Sequence, residues 1–283
     1  MAQKTRRFGP EFIARGGVVR KMSSAQIKST TVGQTMVLTL SNPLARNAMT
    51  PEIYAAGVEA FTQADANDSI RSILIQGEGE HFCAGGNVNR LLEQRALPPH
   101  TQEAHLDVLA SWVESIRTCS KPVVACVEGA AAGAGFSIAL ACDFLVAAQN
   151  SVFVMAYINI ALSPDGAGSW HLAQQLPRAV CSEMLMLGGR MGAQRLHELG
   201  VINQVAPAGQ SFNNSMALCE QLNQKAPNAL LHIKQLLNQA KFQDMAAHMR
   251  QEKASFVDTL YHPNAQIGLD AFLQKKAAQY PSN

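Results

Sequence analysis

The chain has 283 residues, 47% of them hydrophobic and 16% charged, with 20 Gly and 12 Pro. That balance excludes a disordered tail, a collagen-like fibre and a coiled coil, and it leaves a globular chain able to bury a substantial core. The net charge of +2 is unevenly spread: residues 1–21 carry Lys4, Arg6, Arg7, Arg15, Arg20 and Lys21 against Glu11, which leaves −3 on the remainder.

The body shows no basic cluster of the kind a nucleic-acid partner requires. No apolar run reaches the roughly 18 residues expected of a membrane helix. The most apolar stretch, 122–148, is interrupted by Glu128 and Asp143 and reads as buried core. Residues 1–21 lack the apolar segment of a secretory signal. They are expected to form a disordered basic extension of a cytoplasmic protein, or of a mitochondrial matrix protein if the extension is a transit peptide. The six cysteines form no CxxC pair and read as reduced core thiols. The eight histidines show no HxxxH or HExxH spacing, so no metal site is expected.

In chain order, 36–40 (MVLTL) reads as a strand ended by Asn42-Pro43. Thr50-Pro51-Glu52 then opens a helix running to Ala64, with Thr50 at the N-cap and Pro51 at the first helical position. A second strand covers 70–76. Residues 103–117 have helical spacing, with Leu106, Leu109, Val113 and Ile116 on one face. Lys121-Pro122 breaks that helix before a buried strand at 123–127. A helix at 136–141 and a strand at 143–147 follow. This alternation predicts a layered α/β core. From about Ser211 the pattern is almost wholly helical, which divides the body into a core over 22–210 and a helical part over 211–283.

Two glycine-rich loops stand out. The first is His81-Phe82-Cys83-Ala84-Gly85-Gly86-Asn87 and the second Ala131-Ala132-Gly133-Ala134-Gly135-Phe136-Ser137. Both follow buried strands, and the second runs into a helix N-terminus with free N–H groups. Two converging N–H groups from separate segments make an oxyanion hole. A dinucleotide fingerprint fails because Ile138 stands where its third glycine belongs, and a phosphate-binding P-loop lacks its GK[ST]. Tight helix–strand packing explains either loop taken alone.

FCAGGN followed by AAAGAGFSIALACD resembles the crotonase, or enoyl-CoA hydratase/isomerase, superfamily. Asn42-Pro43 with Asn47-Ala48, Lys121-Pro122-Val123, Ser163-Pro164-Asp165-Gly166, Leu187-Gly188-Gly189-Arg190 and the 271–275 segment continue the resemblance over roughly 25–280. It implies a ββα spiral core, a helical C-terminal trimerisation part and a homotrimer or hexamer. It also implies an acyl-CoA thioester substrate, with no cofactor beyond the CoA moiety. By motif position the oxyanion donors are the N–H groups of Gly86 and Ala134. CoA is expected along Arg46, Ala84, Gly85, Gly86 and Asn87, with Lys275 or Lys276 meeting its phosphates. A surface charge in solvent explains each basic side chain equally well.

Hydratases of this family use two glutamates. The matching positions here are Ser137 and Tyr157, and neither supplies a carboxylate. Asp165 resembles the single catalytic aspartate of the family's isomerases. A general base walled by Ile158, Ile160, Leu162 and Trp170 is expected to have a raised pKa. From its position alone, Asp165 also reads as a helix N-cap, and Tyr157 as either a core tyrosine or part of the acyl pocket. A related dehalogenase branch requires a histidine where Ala110 stands. The resemblance therefore favours double-bond isomerisation of an unsaturated acyl-CoA. The alternatives are a hydratase with a non-standard site and a catalytically weak acyl-CoA-binding relative.

Overall fold

The computed structural model describes residues 6–8 and 25–281. The strands, in chain order, are β1 (Arg6–Phe8), β2 (Gln26–Val32), β3 (Thr35–Ser41), β4 (Ser72–Gly77), β5 (Val123–Val127), β6 (Ala130–Ala132), β7 (Phe144–Ala148), β8 (Val152–Val154), β9 (Arg190–Gly192) and β10 (Gln204–Ala206). The helices are α1 (Pro51–Asp65), α2 (Val88–Gln94), α3 (Pro99–Thr118), α4 (Ala134–Ala141), α5 (Gly168–Gln175), α6 (Arg178–Met186) and α7 (Ala193–Glu198), then α8 (Ser211–Asn223), α9 (Pro227–Gln239), α10 (Met245–Tyr261) and α11 (Pro263–Leu273).

A seven-stranded sheet has the order β1-β2-β3-β4-β5-β7-β10, antiparallel from β1 to β3 and parallel from β3 onward. A second sheet, β6-β8-β9, stands apart from it. The parallel strands are apolar at nearly every position because both of their faces are covered. On one face Leu38, Ile73, Ile75, Ala125 and Leu145 join the main core with Phe61, Trp112 and Phe136. On the other, Val37, Leu74, Val124 and Val146 pack with Cys219 and Leu222 of α8. Side chains alternate along a strand, so register decides which face each one serves. The pairings Val37↔Leu74 and Leu74↔Val124 line up the row that α8 covers.

The expected strands and helices all appear, most ends within two residues and α3 beginning four residues earlier than expected, and the region after Ser211 is helical. Three details differ from the sequence reading. Within the extension expected to be disordered, Arg6–Phe8 is a strand on β2; the other residues of that extension lie outside the described ones. Thr50 takes the extended N-cap backbone of α1 without a side-chain capping bond. Leu106 is 36% exposed, and Trp112 takes the place expected for it beside Leu109, Val113 and Ile116 in the core.

Candidate active site

The two glycine loops lie side by side because short bridges tie them to each other and to the turn before α1. Cys83 N–H donates to Ala130 O at 3.0 Å, and Ala132 N–H donates to Cys83 O at 2.9 Å. Met49 N–H donates to Gly85 O at 2.8 Å while Asn87 N–H donates to Met49 O at 3.3 Å. In such a parallel bridge the residues flanking Gly86 make the bonds, so its own N–H points away from Met49. Gly85 has φ +92°, and a Cβ there would stand 2.9 Å from Ala132 O and 3.7 Å from Gly133 Cα. Only glycine permits that conformation and that approach.

Among the described residues, neither Gly86 N–H nor Ala134 N–H has a hydrogen-bond partner. Ala134 is the first residue of α4, where the helix leaves its N–H groups free and the helix dipole favours negative charge. Ala134 is buried, with its methyl in the core cluster.

Asp165 sits in the irregular turn before α5. Tyr157 hydroxyl donates to Asp165 Oδ1 at 2.6 Å. No second side chain bonds the carboxylate among the described residues; its further hydrogen bond comes from the backbone N–H of Asp165 itself. Ser137 hydroxyl donates to the Asp165 backbone carbonyl at 3.0 Å, so the turn is fastened to α4 one turn beyond Ala134. Tyr157 also lies against the second loop: its ring comes within 3.5 Å of where a Cβ on Gly133 would stand. Burial raises the Asp165 pKa, and the Tyr157 hydrogen bond pulls it part of the way back. Burial, reinforced by the Asp165 charge, pushes the Tyr157 phenol well above its ordinary range, so it remains a protonated donor.

The cap reading of Asp165 is not what the side chain does. The N-cap of α5 is Ala167, without a side-chain capping bond, and only the backbone carbonyl of Asp165 meets the helix, accepting from Gly168 N–H at 3.1 Å. The expected wall is also corrected. Ile158, Ile160 and Leu162 are each nearly half exposed. Trp170 stacks on Phe242 at 5.7 Å beneath the Arg117 guanidinium. Around the turn that carries Asp165, the described neighbours are Tyr157 on the carboxylate and, at the adjoining Gly166, Ser137 of α4 and Leu109 of α3. Ser137 is wholly buried as a structural donor.

Arg46, Ala84, Gly85, Gly86 and Asn87 come together: Ala84 N–H donates to Arg46 O at 2.9 Å, and Asn87 caps α2 by accepting from Arg90 N–H at 3.2 Å. Arg46 and Ala84 are exposed. Lys275, just past α11, is exposed and has no described contact with that group. His105 is taken up by Gln94 at 2.8 Å. Among the described residues there is no cluster of three or more His, Cys, Asp or Glu able to hold a metal, and no helix long and apolar enough to cross a membrane.

One residue escaped the sequence reading. Tyr54 of α1 is 7% exposed, packs against Trp112 at 6.4 Å between ring centroids, and has no partner for its hydroxyl among the described residues. The available signal was a tyrosine on the buried stripe of a helix, since a phenol placed there needs a partner for its polar tip.

This fold, with two neighbouring loops offering free N–H groups beside a desolvated carboxylate, is the crotonase architecture, and the chain belongs to the enoyl-CoA hydratase/isomerase family, whose model matches residues 30–283. It is 30% identical over 246 residues to 1,2-epoxyphenylacetyl-CoA isomerase of Escherichia coli (strain K12), covering 87% of this chain and 94% of that one. It is 27% identical to a probable mitochondrial enoyl-CoA hydratase 2 of Arabidopsis thaliana, over 86% of this chain and 80% of the relative. Among solved structures, an enoyl-CoA hydratase from Polaromonas sp. JS666 superposes with a TM-score of 0.89 at 55% identity, covering 90% of this chain and 99% of that one.

Proposed function

We propose that this enzyme isomerises the double bond of an unsaturated acyl-CoA by a one-base proton shift through Asp165. The observation that carries the reading is the carboxylate itself: Tyr157 is the one side chain described as bonding it, its own backbone N–H steadies it, and two unpartnered backbone N–H groups lie in the neighbouring loops. No second charged group perturbs Asp165, in keeping with Ser137 and Tyr157 standing where a two-glutamate hydratase needs carboxylates. Asp165 removes a proton from the carbon next to the thioester. The resulting dienolate rests on the N–H groups of Gly86 and Ala134, each such donor lowering the barrier by about 3–4 kcal/mol. The protonated Asp165 then returns the proton two carbons further on. Tyr157 orients the carboxylate and partly offsets its desolvation. CoA runs along Arg46, Ala84, Gly85 and Asn87, with Lys275 at its phosphates.

The test is turnover of a 3-enoyl-CoA to its conjugated 2-enoyl isomer, followed by ultraviolet absorbance. Wild-type activity that falls about 10²–10⁴-fold in Asp165→Asn is the expected result. Full activity in a folded Asp165→Asn variant, or no turnover by wild type, defeats the assignment. A second reading, hydration by the Tyr157–Asp165 pair, draws support from the Polaromonas relative described as a hydratase. Hydration of crotonyl-CoA faster than isomerisation decides for it.

We further propose that α9–α11 mediate assembly into a trimer or a dimer of trimers. Leu237, Phe256, Tyr261, Phe272 and Leu273 are all largely exposed there, and apolar surface on this scale marks an association face. Light scattering that returns a monomer mass rejects this.

A further inference from the structure

Tyr54 is a polar side chain at the site that the proton shift leaves unused. The Met49–Gly86 bridge lies just before α1, so the helix carrying Tyr54 departs directly from the first loop. On the far side of the phenol, α3 supplies Trp112 against the Tyr54 ring and, one turn earlier, Leu109 within 3.5 Å of where a Cβ on Gly166 would stand, next to Asp165. Tyr54 and Asp165 are thus brought to the same edge of α3. The Asp165 charge is felt at the Tyr54 phenol, which burial has already pushed above its ordinary range. Yet no hydrogen bond joins them, and the only side chain described as bonding the Asp165 carboxylate is Tyr157. The Tyr54 hydroxyl itself is unpartnered and not sealed in the core.

A phenol whose ring is packed in the fold while its hydroxyl has no partner there is free to bond a group that enters the site. The thioester oxygen is already provided for by Gly86 and Ala134 in the reading above, and the carboxylate by Tyr157. What remains is the acyl group. We propose that Tyr54 reads an oxygen substituent on the acyl chain, so that the site prefers acyl-CoA thioesters bearing an oxo or hydroxyl group over purely hydrocarbon ones. This rests on the site being an acyl-CoA site, but not on which reaction it runs. A site built to bond a substrate oxygen rejects the analogue lacking it far more strongly than an apolar pocket discriminates by size.

The experiment is calorimetric binding of 3-oxobutanoyl-CoA and butanoyl-CoA to wild type and to Tyr54→Phe, which keeps the ring. Wild type is expected to bind the oxo ester at least tenfold more tightly. In Tyr54→Phe the preference falls to within about twofold while butanoyl-CoA affinity stays within about threefold, the double difference isolating the hydroxyl–oxygen contact. The thermal midpoint of the variant is expected at or above that of wild type, since the hydroxyl has no partner in the fold; a clear fall instead makes the hydroxyl structural and overturns the proposal. So does a wild type without preference, a preference that survives in Tyr54→Phe, or binding of neither ester. Absence of isomerase turnover with the Tyr54-dependent preference intact would remove the isomerase assignment and leave this one standing.

Discussion

Two desolvated carboxylates divide the labour of this molecule. Asp143, at the start of β7, receives Lys234 Nζ at 2.8 Å and Val123 N–H at 2.8 Å on the same oxygen. Asp165 receives one phenol and its own backbone N–H, with no cation among the described residues. Burial raises both pKa values, against Lys234 at Asp143 and against Tyr157 at Asp165. Burial and a shifted pKa therefore do not by themselves mark a catalytic group, because structural ion pairs produce them too. The difference lies in what the carboxylate has left to give. Asp143 is committed to pinning α9 to the sheet, and Lys234 also donates to Ile116 O at 2.9 Å and Lys121 O at 3.1 Å. Among the described residues, Asp165 is tied to no cation and to no element beyond the Tyr157 phenol and its own turn.

The comparison is broken most severely by removing each group's role in turn. Asp165→Asn is expected to lose about 10²–10⁴ in kcat while unfolding no more easily than wild type. Lys234→Met should do the reverse. It leaves the partly exposed Asp143 carboxylate without its ion partner, and the expected cost is about 1.5–3 kcal/mol in denaturant unfolding. Adding Asp143→Asn should restore part of that loss, because the amide oxygen still accepts from Val123 N–H while the uncompensated charge is gone. A Lys234→Met protein of wild-type stability would show that the pair contributes nothing and that Asp143 is not the structural member.

A smaller effect lies in the pH dependence of stability, where the two carboxylates act in the same direction and Asp165 can be tested by itself. The folded pKa of Asp165 is raised above 3.8, so the folded state holds its proton more tightly than the unfolded chain does. The stability this contributes is complete below the unfolded pKa and is lost as pH rises through the folded one. Asp165→Asn should therefore be more stable than wild type at pH 7, with the gain shrinking in acid. Thermal midpoints compared at pH 7 and near pH 4 test this, and a gain that grows in acid contradicts the direction of the shift.

What the sequence made legible follows the range of each interaction. The glycine loops could be read because unusual backbone leaves a local mark: Gly85 at φ +92° and Gly133 at φ +47° both take left-handed conformations that favour glycine. The parallel strands were legible as unbroken apolar runs. Asp165 was visible as an isolated acid in the right motif, but its surroundings were not. Ile158, Ile160 and Leu162 sit near it in sequence and face solvent, whereas the groups that enclose it come from α3 and α4. The Asp143–Lys234 pair was illegible for the same reason, since nothing local to either residue announces a partner so far along the chain. Tyr54 was hidden by its company, standing on a helix stripe with Ile53, Ala60 and Phe61 that reads simply as core.

The finest distinction rests on Tyr157. Its hydrogen bond lowers a carboxylate pKa that burial has raised, which keeps Asp165 ionised and able to act as a base further into acid. Tyr157→Phe preserves the ring against Gly133 and deletes only that donor. The acid limb of kcat/KM, which reports the base in the free enzyme, should then move to higher pH. The plateau at alkaline pH should fall less than in Asp165→Asn, because the base itself remains. No comparable change should follow at Asp143, where Lys234 and Val123 still hold the carboxylate, so unfolding free energy at pH 7 should stay within about 1 kcal/mol of wild type for loss of one ordinary hydrogen bond. A limb that stays in place would mean Tyr157 only fills space beside Asp165. A limb unchanged with a plateau as low as that of Asp165→Asn would make Tyr157 itself the proton-transferring group, with Asp165 as its support.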